Sequence, residues 1–350
     1  MTERLYENNT YLKEFTARVL SCTGEKRGYA VVLDRTAFYP EGGGQPWDLG
    51  TLGEARVLEV HRREEDIVHL CGRALAGEVT GQIGWPRRFD LMQQHSGEHL
   101  VSGLVHRFFG WDNVGFHMGA DVITIDFNGP LSQEDLARVE LAANEAVWAD
   151  LETRLRYPPR EELPDISYRS KKELTGQVRL VEFPGVDVCA CCGTHVARTG
   201  EIGPIKLLSC VTFRQGVRVE LVCGRRAYDR LVCTDGQNRE ISALLSAKPT
   251  ATAEAARRMA KELADTKYAL AGLRRRDFAR IAQELRGQGD VVRFEEGLTS
   301  EELRELCLAI METCGGRCAI FSPTDQGCRY ALGEQGGDLR AFTAELNRTL

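Results

Sequence analysis

The sequence predicts an α+β chain: a small N-terminal antiparallel β-barrel, an α+β domain, a helical segment and a small α/β C-terminal domain. Three observations predict it. Short β-branched and apolar runs alternate with glycine-rich turns over residues 15–84. At Trp85-Pro86 the pattern switches to residues recurring at three- and four-residue steps. Residues 252–287 are rich in Ala, Leu, Arg, Glu and Lys, with glycine only at 272 and 287. A chain of 350 residues also exceeds what one core usually serves.

In chain order, 15–22, 29–34, 55–60 and 79–83 read as strands, short and regularly spaced as in a small barrel. From Arg87 to about Phe109, Met92, His95, His99, Leu100 and Gly103 fall at helical spacing. Residues 122–127 alternate as a strand. Residues 131–150 read as an amphipathic helix, with Ser132 as N-cap and Asp135 three residues on. Residues 204–212 and 217–223 form a hairpin across Arg214-Gln215-Gly216. Helices mixed with antiparallel strands make an α+β unit. Two helices follow, 225–246 and 252–287, paired as a hairpin or acting as a linker, and 291–350 alternates strand and helix. The divisions are therefore 1–86, 87–235, 236–290 and 291–350.

Composition narrows the function classes. No apolar run is long enough to span a bilayer, and residues 1–14 lack the layout of a signal peptide, so a cytoplasmic protein is expected. Twelve cysteines in such a setting are thiols or metal ligands rather than disulfides. Scattered ones such as Cys22, Cys71, Cys307 and Cys328 read as small buried apolar residues; only Cys189, Cys191 and Cys192 cluster. A net charge of −6 argues against a protein that grips long nucleic acid over its whole surface. Contact with a short RNA end through a local patch stays open. The 274–279 run, Arg-Arg-Arg-Asp-Phe-Ala, offers charge to RNA phosphates, while most charge runs are solvated helix faces.

Two motifs carry chemistry. His95-Ser96-Gly97-Glu98-His99 places two imidazoles on one helix face, close enough for one ion, while Glu98 is one step off that face. It is not the zincin pattern, which needs Glu directly after the first His. Cys191-Cys192-Gly193-Thr194-His195 offers a thiolate and an imidazole around a glycine turn. Together, three histidines and one cysteine have the number and softness that zinc prefers. Cys189 and Cys192 compete with Cys191 for the sulfur position. A third stretch, Phe38-Tyr39-Pro40-Glu41-Gly42-Gly43-Gly44-Gln45-Pro46, exposes backbone N–H groups that suit a phosphate, ribose or carbonyl, or is simply a hairpin loop. It is not a Walker loop. Gln94, directly before His95, is a candidate for substrate or water, with an ordinary surface residue as the plain alternative.

These residues resemble a known family. H-S-G-E-H, then C-C-G-T-H-V with T-G-E-I-G at 199–203, resembles the editing domain of alanyl-tRNA synthetases, and more closely the free-standing AlaX alanyl-tRNA editing proteins. The F-Y-P-E-G-G-G-Q-P stretch resembles the glycine-rich motif of AlaX forms with an N-terminal barrel. Residues 126–132 resemble the family's strand-to-helix passage and 216–224 its closing segment. The tail resembles the DHH-associated domain of the long AlaX forms, without its glycine-rich ending.

The resemblance implies a zinc-dependent aminoacyl-tRNA deacylase acting on alanine tRNA mischarged with serine, and possibly glycine. Its zinc ligands would be His95, His99, Cys191 and His195, with one Zn2+ per chain. The family's C-G-G-T-H reads C-C-G-T-H here. Thr36 matches a family threonine near the amino-acid pocket, where a hydroxyl would favour serine over alanine. Gly42, Gly43, Gly44, Gln45 and Gln94 complete the substrate-binding candidates. The catalytic group stays unassigned, because zinc would either activate a water or orient the amino acid. The expected partner is the aminoacylated 3′ end of tRNA, with no membrane and with a homodimer through the helical region as one arrangement. The competing reading is a tRNA-binding module whose four-ligand zinc is only structural.

Overall fold

The computed structural model describes residues 1–170, 176–325 and 327–349. The chain is mixed α+β and divides into two compact units, Met1–Gly236 and Gln237–Leu350. Among the described residues, no helix is long and apolar enough to cross a membrane.

The first unit opens with a short helix, α1 (Leu5–Asn8), and a ring of six strands. The ring strands are Glu14–Glu25, Gly28–Leu33, Gly50–Leu52, Ala55–Arg63, Asp66–Cys71 and Glu78–Ile83. Neighbouring strands pair antiparallel all the way round, with the last strand hydrogen-bonded to both the first and the third. Glu78–Ile83 alternates exposed and buried residues, as the two-residue period of a strand requires. Phe15, Val31, Leu33, Phe38, Leu52, Val60 and Ile67 fill its interior.

The helix α2 (Trp85–Phe109) follows. Pro86 in its first turn costs no hydrogen bond, and Gly110 ends it in the left-handed region. The sequence implies one apolar stripe, but α2 is buried almost without break from Leu91 to Val105. Packing on several sides explains this. It contacts α3 (Gln133–Trp148), the strand Asp187–Ala190 and the sheet that contains Gly216–Cys223. That sheet has the order Ile205–Phe213, Gly216–Cys223, Ile123–Phe127, Asn113–Met118, all antiparallel. A second sheet joins Arg154–Arg156, Leu180–Phe183 and Asp187–Ala190. The Ser132–Asp135 capping box starts α3.

One residue ties α2 to the ring. Arg88 is fully buried and donates to Thr10 O (2.8 Å), Ala37 O (2.6 Å) and the Asp48 carboxylate. Asp48 also accepts from Tyr39 N at 2.6 Å. A buried guanidinium needs such a set of acceptors.

α4 (Gly224–Leu244) leads out of the first unit. In the second unit, α5 (Thr252–Glu284) ends in a core of Phe278, Ile281, Leu303, Leu306, Ile310 and Ile320. Two parallel strands, Gly289–Phe294 and Gly315–Thr324, are joined through α6 (Ser300–Cys314), and Gly327–Gly333 pairs antiparallel beside them. The last helix is α7 (Arg340–Thr349). Arg274 forms an ion pair with Glu302, so it is not a bare RNA-facing charge. The scattered cysteines divide: Cys71 and Cys307 are buried as expected, whereas Cys22 is half-buried and Cys328 is exposed.

Candidate metal centre

α2 holds the first half of the site. His95 and His99 lie one turn apart with ring centroids 5.3 Å from each other. The second half comes from the loop after the strand Asp187–Ala190. It folds back so that the His195 ring sits 4.4 Å from His95 and 4.7 Å from His99. Cys191 Sγ lies 3.5 Å from His95 Nε2. Donor atoms of His95, His99, Cys191 and His195 all fall within 4.8 Å of one another. The loop reaches α2 only because residue 193 is glycine. A Cβ there would stand 2.1 Å from His95 Cε1.

The three rival sulfurs separate. Cys191 joins the histidines, Cys192 is exposed, and Cys189 is buried in a smaller group with His99 and Asp187.

Each imidazole is held through Nδ1. His95 Nδ1 is 2.9 Å from Gln45 Oε1, and His99 Nδ1 is 2.9 Å from Asp187 Oδ2. His195 Nδ1 is 3.4 Å from Ser96 Oγ, which also accepts from Val196 N at 3.1 Å. Asp187 is in turn clamped by Arg169, Nε to Oδ1 at 2.7 Å and Nη2 to Oδ2 at 2.8 Å. Such outer partners fix ring orientation at metal sites.

The donor set fits a zinc ion. His195 Nε2 is buried without a hydrogen-bond partner, a costly state that a cation would relieve. One thiolate and three imidazoles suit zinc's borderline softness. Without an ion the donors titrate against one another, and an ion would have to displace the proton on His99. Burial would raise the Cys191 thiol, but the His95 and His195 rings beside it more than reverse that and hold it well below its usual range. Burial, with His95 next, pushes His195 down to about 3, so it stays neutral. Burial also works against a charged His99, yet the Asp187 hydrogen bond holds its pKa well above the ordinary value. Burial raises Asp187, and His99 and Arg169 more than reverse that.

Several sequence expectations change. Gln94 is not a surface residue. Its amide is buried and spent on Asp90 Oδ1 (3.1 Å), Cys223 O (2.8 Å) and Cys223 N (2.9 Å), which pins α2 to the sheet. The Thr36 hydroxyl is paired within the ring: it sits 2.8 Å from His69 Nε2 and accepts from Phe38 N at 3.1 Å. The Gly42–Gln45 stretch closes as a turn by reciprocal backbone hydrogen bonds at 3.1 and 3.0 Å, which uses two of the N–H groups expected to face a ligand. Gly43 and Gly44 have φ of +61° and +87°. A Cβ on Gly44 would meet Phe116 at 2.6 Å, and the Phe116 ring stacks on His95. The turn's product is Gln45, buried against His95 rather than open to a substrate.

Sequence reasoning set Glu98 aside and did not single out Asp187, Arg169 or Asn113. Glu98 is buried, with Oε2 3.9 Å from His99 Nε2, and its other oxygen accepts from Ser102 Oγ and Asn113 Nδ2. A cleft of about 710 Å³ opens beside the cluster, lined among others by Gly103, Asn113, Tyr168, Arg169, Asp187 and Cys189. Its size is in the range of small-molecule sites.

A His3Cys group beside such a cleft is a set of donors that could hold one metal ion. The comparisons with known proteins make this more particular. Residues 178–220 match the family described as the threonyl and alanyl tRNA synthetase second additional domain. The chain is 34% identical over 247 residues to the alanyl-tRNA editing protein AlaX-L of Pyrococcus horikoshii, covering 66% of this chain and 60% of that one. It is 30% identical over 262 residues to the alanyl-tRNA editing protein Aarsd1 of Mus musculus, covering 69% and 63%. An alanine–tRNA ligase of Ignicoccus hospitalis is 35% identical over 305 residues, 82% of this chain and 33% of the ligase. The chain is thus related to the AlaX-type alanyl-tRNA editing proteins and to the alanine–tRNA ligases. It spans less than two thirds of the length of each of these relatives.

Proposed function

We propose that this chain is a zinc-dependent hydrolase that removes serine, and also glycine, from wrongly charged alanine tRNA, acting apart from the ligase. The observation that carries the reading is the His95–His99–Cys191–His195 group beside the Arg169–Asp187 cleft, in a chain whose relatives are named alanyl-tRNA editing proteins. The four residues hold one zinc, which when bound supplies Lewis acidity and a fixed point for an aminoacyl ester. Gln45, Asp187 and Ser96 orient the donor rings. The cleft takes the aminoacylated 3′ end, with Arg169 and Asn113 at its wall. Burial of His95, His99 and His195 keeps bulk water off the three imidazoles. Thr36 is the candidate for choosing serine: its hydroxyl pairs with His69 and accepts from Phe38 N, which leaves one hydrogen-bonding position.

The test is to incubate the protein with seryl-, glycyl- and alanyl-charged alanine tRNA. Seryl ester should disappear fastest and alanyl ester persist. Seryl-tRNA left intact by catalytic amounts of protein would sink the reading. One observation favours the alternative, a tRNA-binding module with structural zinc: four protein donors fill a tetrahedral ion. Tight tRNA binding with no deacylation by the zinc-loaded protein would decide for it. The reading places the chain in the cytoplasm. A homodimer through the helical region is part of it, supported by exposed Met259, Leu263, Leu270 and Leu273 on α5. Sedimentation as a monomer would remove that part.

A further inference from the structure

We infer that Gln45 is a positioning residue of the metal centre: its side-chain carbonyl fixes the His95 ring with the proton on Nδ1 and the lone pair of Nε2 turned to the cluster. The inference rests on the metal site proposed above, but its core is a hydrogen-bond argument about this chain alone.

The orientation of the Gln45 amide is determined by its neighbours. Thr194 N lies 3.1 Å from one end of the amide, and a backbone N–H can only donate. That end is therefore the carbonyl, Oε1. The other end, Nε2, donates to Thr194 Oγ1 at 2.9 Å. The same Oε1 stands 2.9 Å from His95 Nδ1. A carbonyl has no proton to give, so Nδ1 must carry it. In a neutral imidazole with Nδ1–H, Nε2 holds the free lone pair, and Nε2 is the nitrogen 3.5 Å from Cys191 Sγ. Gln45 is fully buried, so water cannot substitute for it.

The arrangement joins distant parts of the chain. Gln45 sits on the glycine turn of the strand ring, 50 residues before His95. Its two contacts to Thr194 also tie that turn to the loop bearing Cys191 and His195. One side chain from the ring thus touches both halves of the donor set. It does for His95 what Asp187 does for His99, with a neutral amide in place of a carboxylate.

The test compares zinc affinity, by competition with a chromophoric chelator, in the wild type, Gln45→Leu and Gln45→Glu. Loss of an outer partner typically costs 10–100-fold in metal affinity. Gln45→Leu should weaken zinc by roughly that factor, while Gln45→Glu, which keeps an acceptor for Nδ1, should stay close to wild type. The absorption of bound Co2+ should shift in Gln45→Leu and not in Gln45→Glu. Equal affinity in Gln45→Leu and wild type overturns the inference. Equal loss in both variants also overturns it, since the role would then be packing. Long-range proton–nitrogen NMR of the metal-free wild type decides the case if a variant fails to fold or if the wild type binds no zinc. Nδ1–H on neutral His95 supports the inference, and Nε2–H overturns it. A wild type without zinc affinity but with Nδ1–H would defeat the metal reading and leave the Gln45 hydrogen bond standing.

Discussion

His69 in the strand ring and His195 in the metal centre look alike by burial and differ in one hydrogen bond. Both rings are buried, and burial pushes both pKa values down, to about 4 and about 3. His69 spends both nitrogens: Nδ1 lies 3.2 Å from Val31 O, and Nε2 lies 2.8 Å from the Thr36 hydroxyl. His195 spends only Nδ1, and its Nε2 is buried without a partner. The lesson is that a buried, neutral histidine is ordinary core material when its hydrogen bonds are closed. An open nitrogen, set among two further imidazoles and a thiol around one point, marks a candidate cation site.

The sharpest way to break this comparison is to delete each ring. His195→Ala should lower zinc content from about one per chain to near zero by elemental analysis, because three donors rarely make a structural zinc site. His69→Phe should leave zinc content unchanged. Full zinc in the first variant, or none in a folded second variant, would undo the contrast.

The next effect is on acid stability. His69 resists protonation down to about pH 4, whereas the unfolded chain takes up that proton near its ordinary pKa of 6.5. Stability from this source is complete above about pH 6.5 and declines as pH falls toward 4, by at most about 3 kcal/mol. Urea titrations at several pH values should show that limb in the wild type and a shallower one in His69→Phe.

Smaller again is the clamp on His99. Asp187→Asn leaves the Arg169 charge without its carboxylate. Breaking a buried pair costs about 3–5 kcal/mol, and the partial exposure of Arg169 reduces this to about 2 kcal/mol, readable by denaturation of the metal-free protein. The depressed Asp187 pKa means this contribution is present at neutral pH and fades only as pH drops through and below the usual carboxylate range. The smallest effect belongs to Cys192→Ser. That side chain is exposed and outside the donor group, so zinc content and stability should both stay within about 0.5 kcal/mol or the assay error.

What could be read from the sequence follows a physical divide. His95 and His99 were legible because four residues make one helical turn, and Cys191 with His195 because a glycine turn brings near neighbours together. Residues 79–83 were legible as a short β-branched and apolar run between glycine-rich turns. The strand Asp66–Cys71 was not, because burial on both faces erases the two-residue period. Gln45, Asp187 and Ser96 as orienting groups were also hidden, since their contacts span 50, 88 and 99 residues and leave no local pattern. An ideal helical wheel sets Glu98 off the histidine face, but it gives the direction of a Cβ and not the reach of a carboxylate that comes within 3.9 Å of His99 Nε2.

Arg88 sets a limit on modularity. The composition break at Trp85-Pro86 looks like a natural place to cut the chain. A fragment starting there would keep a guanidinium whose acceptors, Thr10, Ala37 and Asp48, lie upstream of the cut. That cation would have to find water through what is now an interior, and the helix bearing His95 and His99 would begin beside the defect. The ring and the metal-bearing helix therefore share one melting event rather than two. Scanning calorimetry of this unit should show a single transition, and a graft of residues 87–235 into another protein would need a new counter-ion for Arg88.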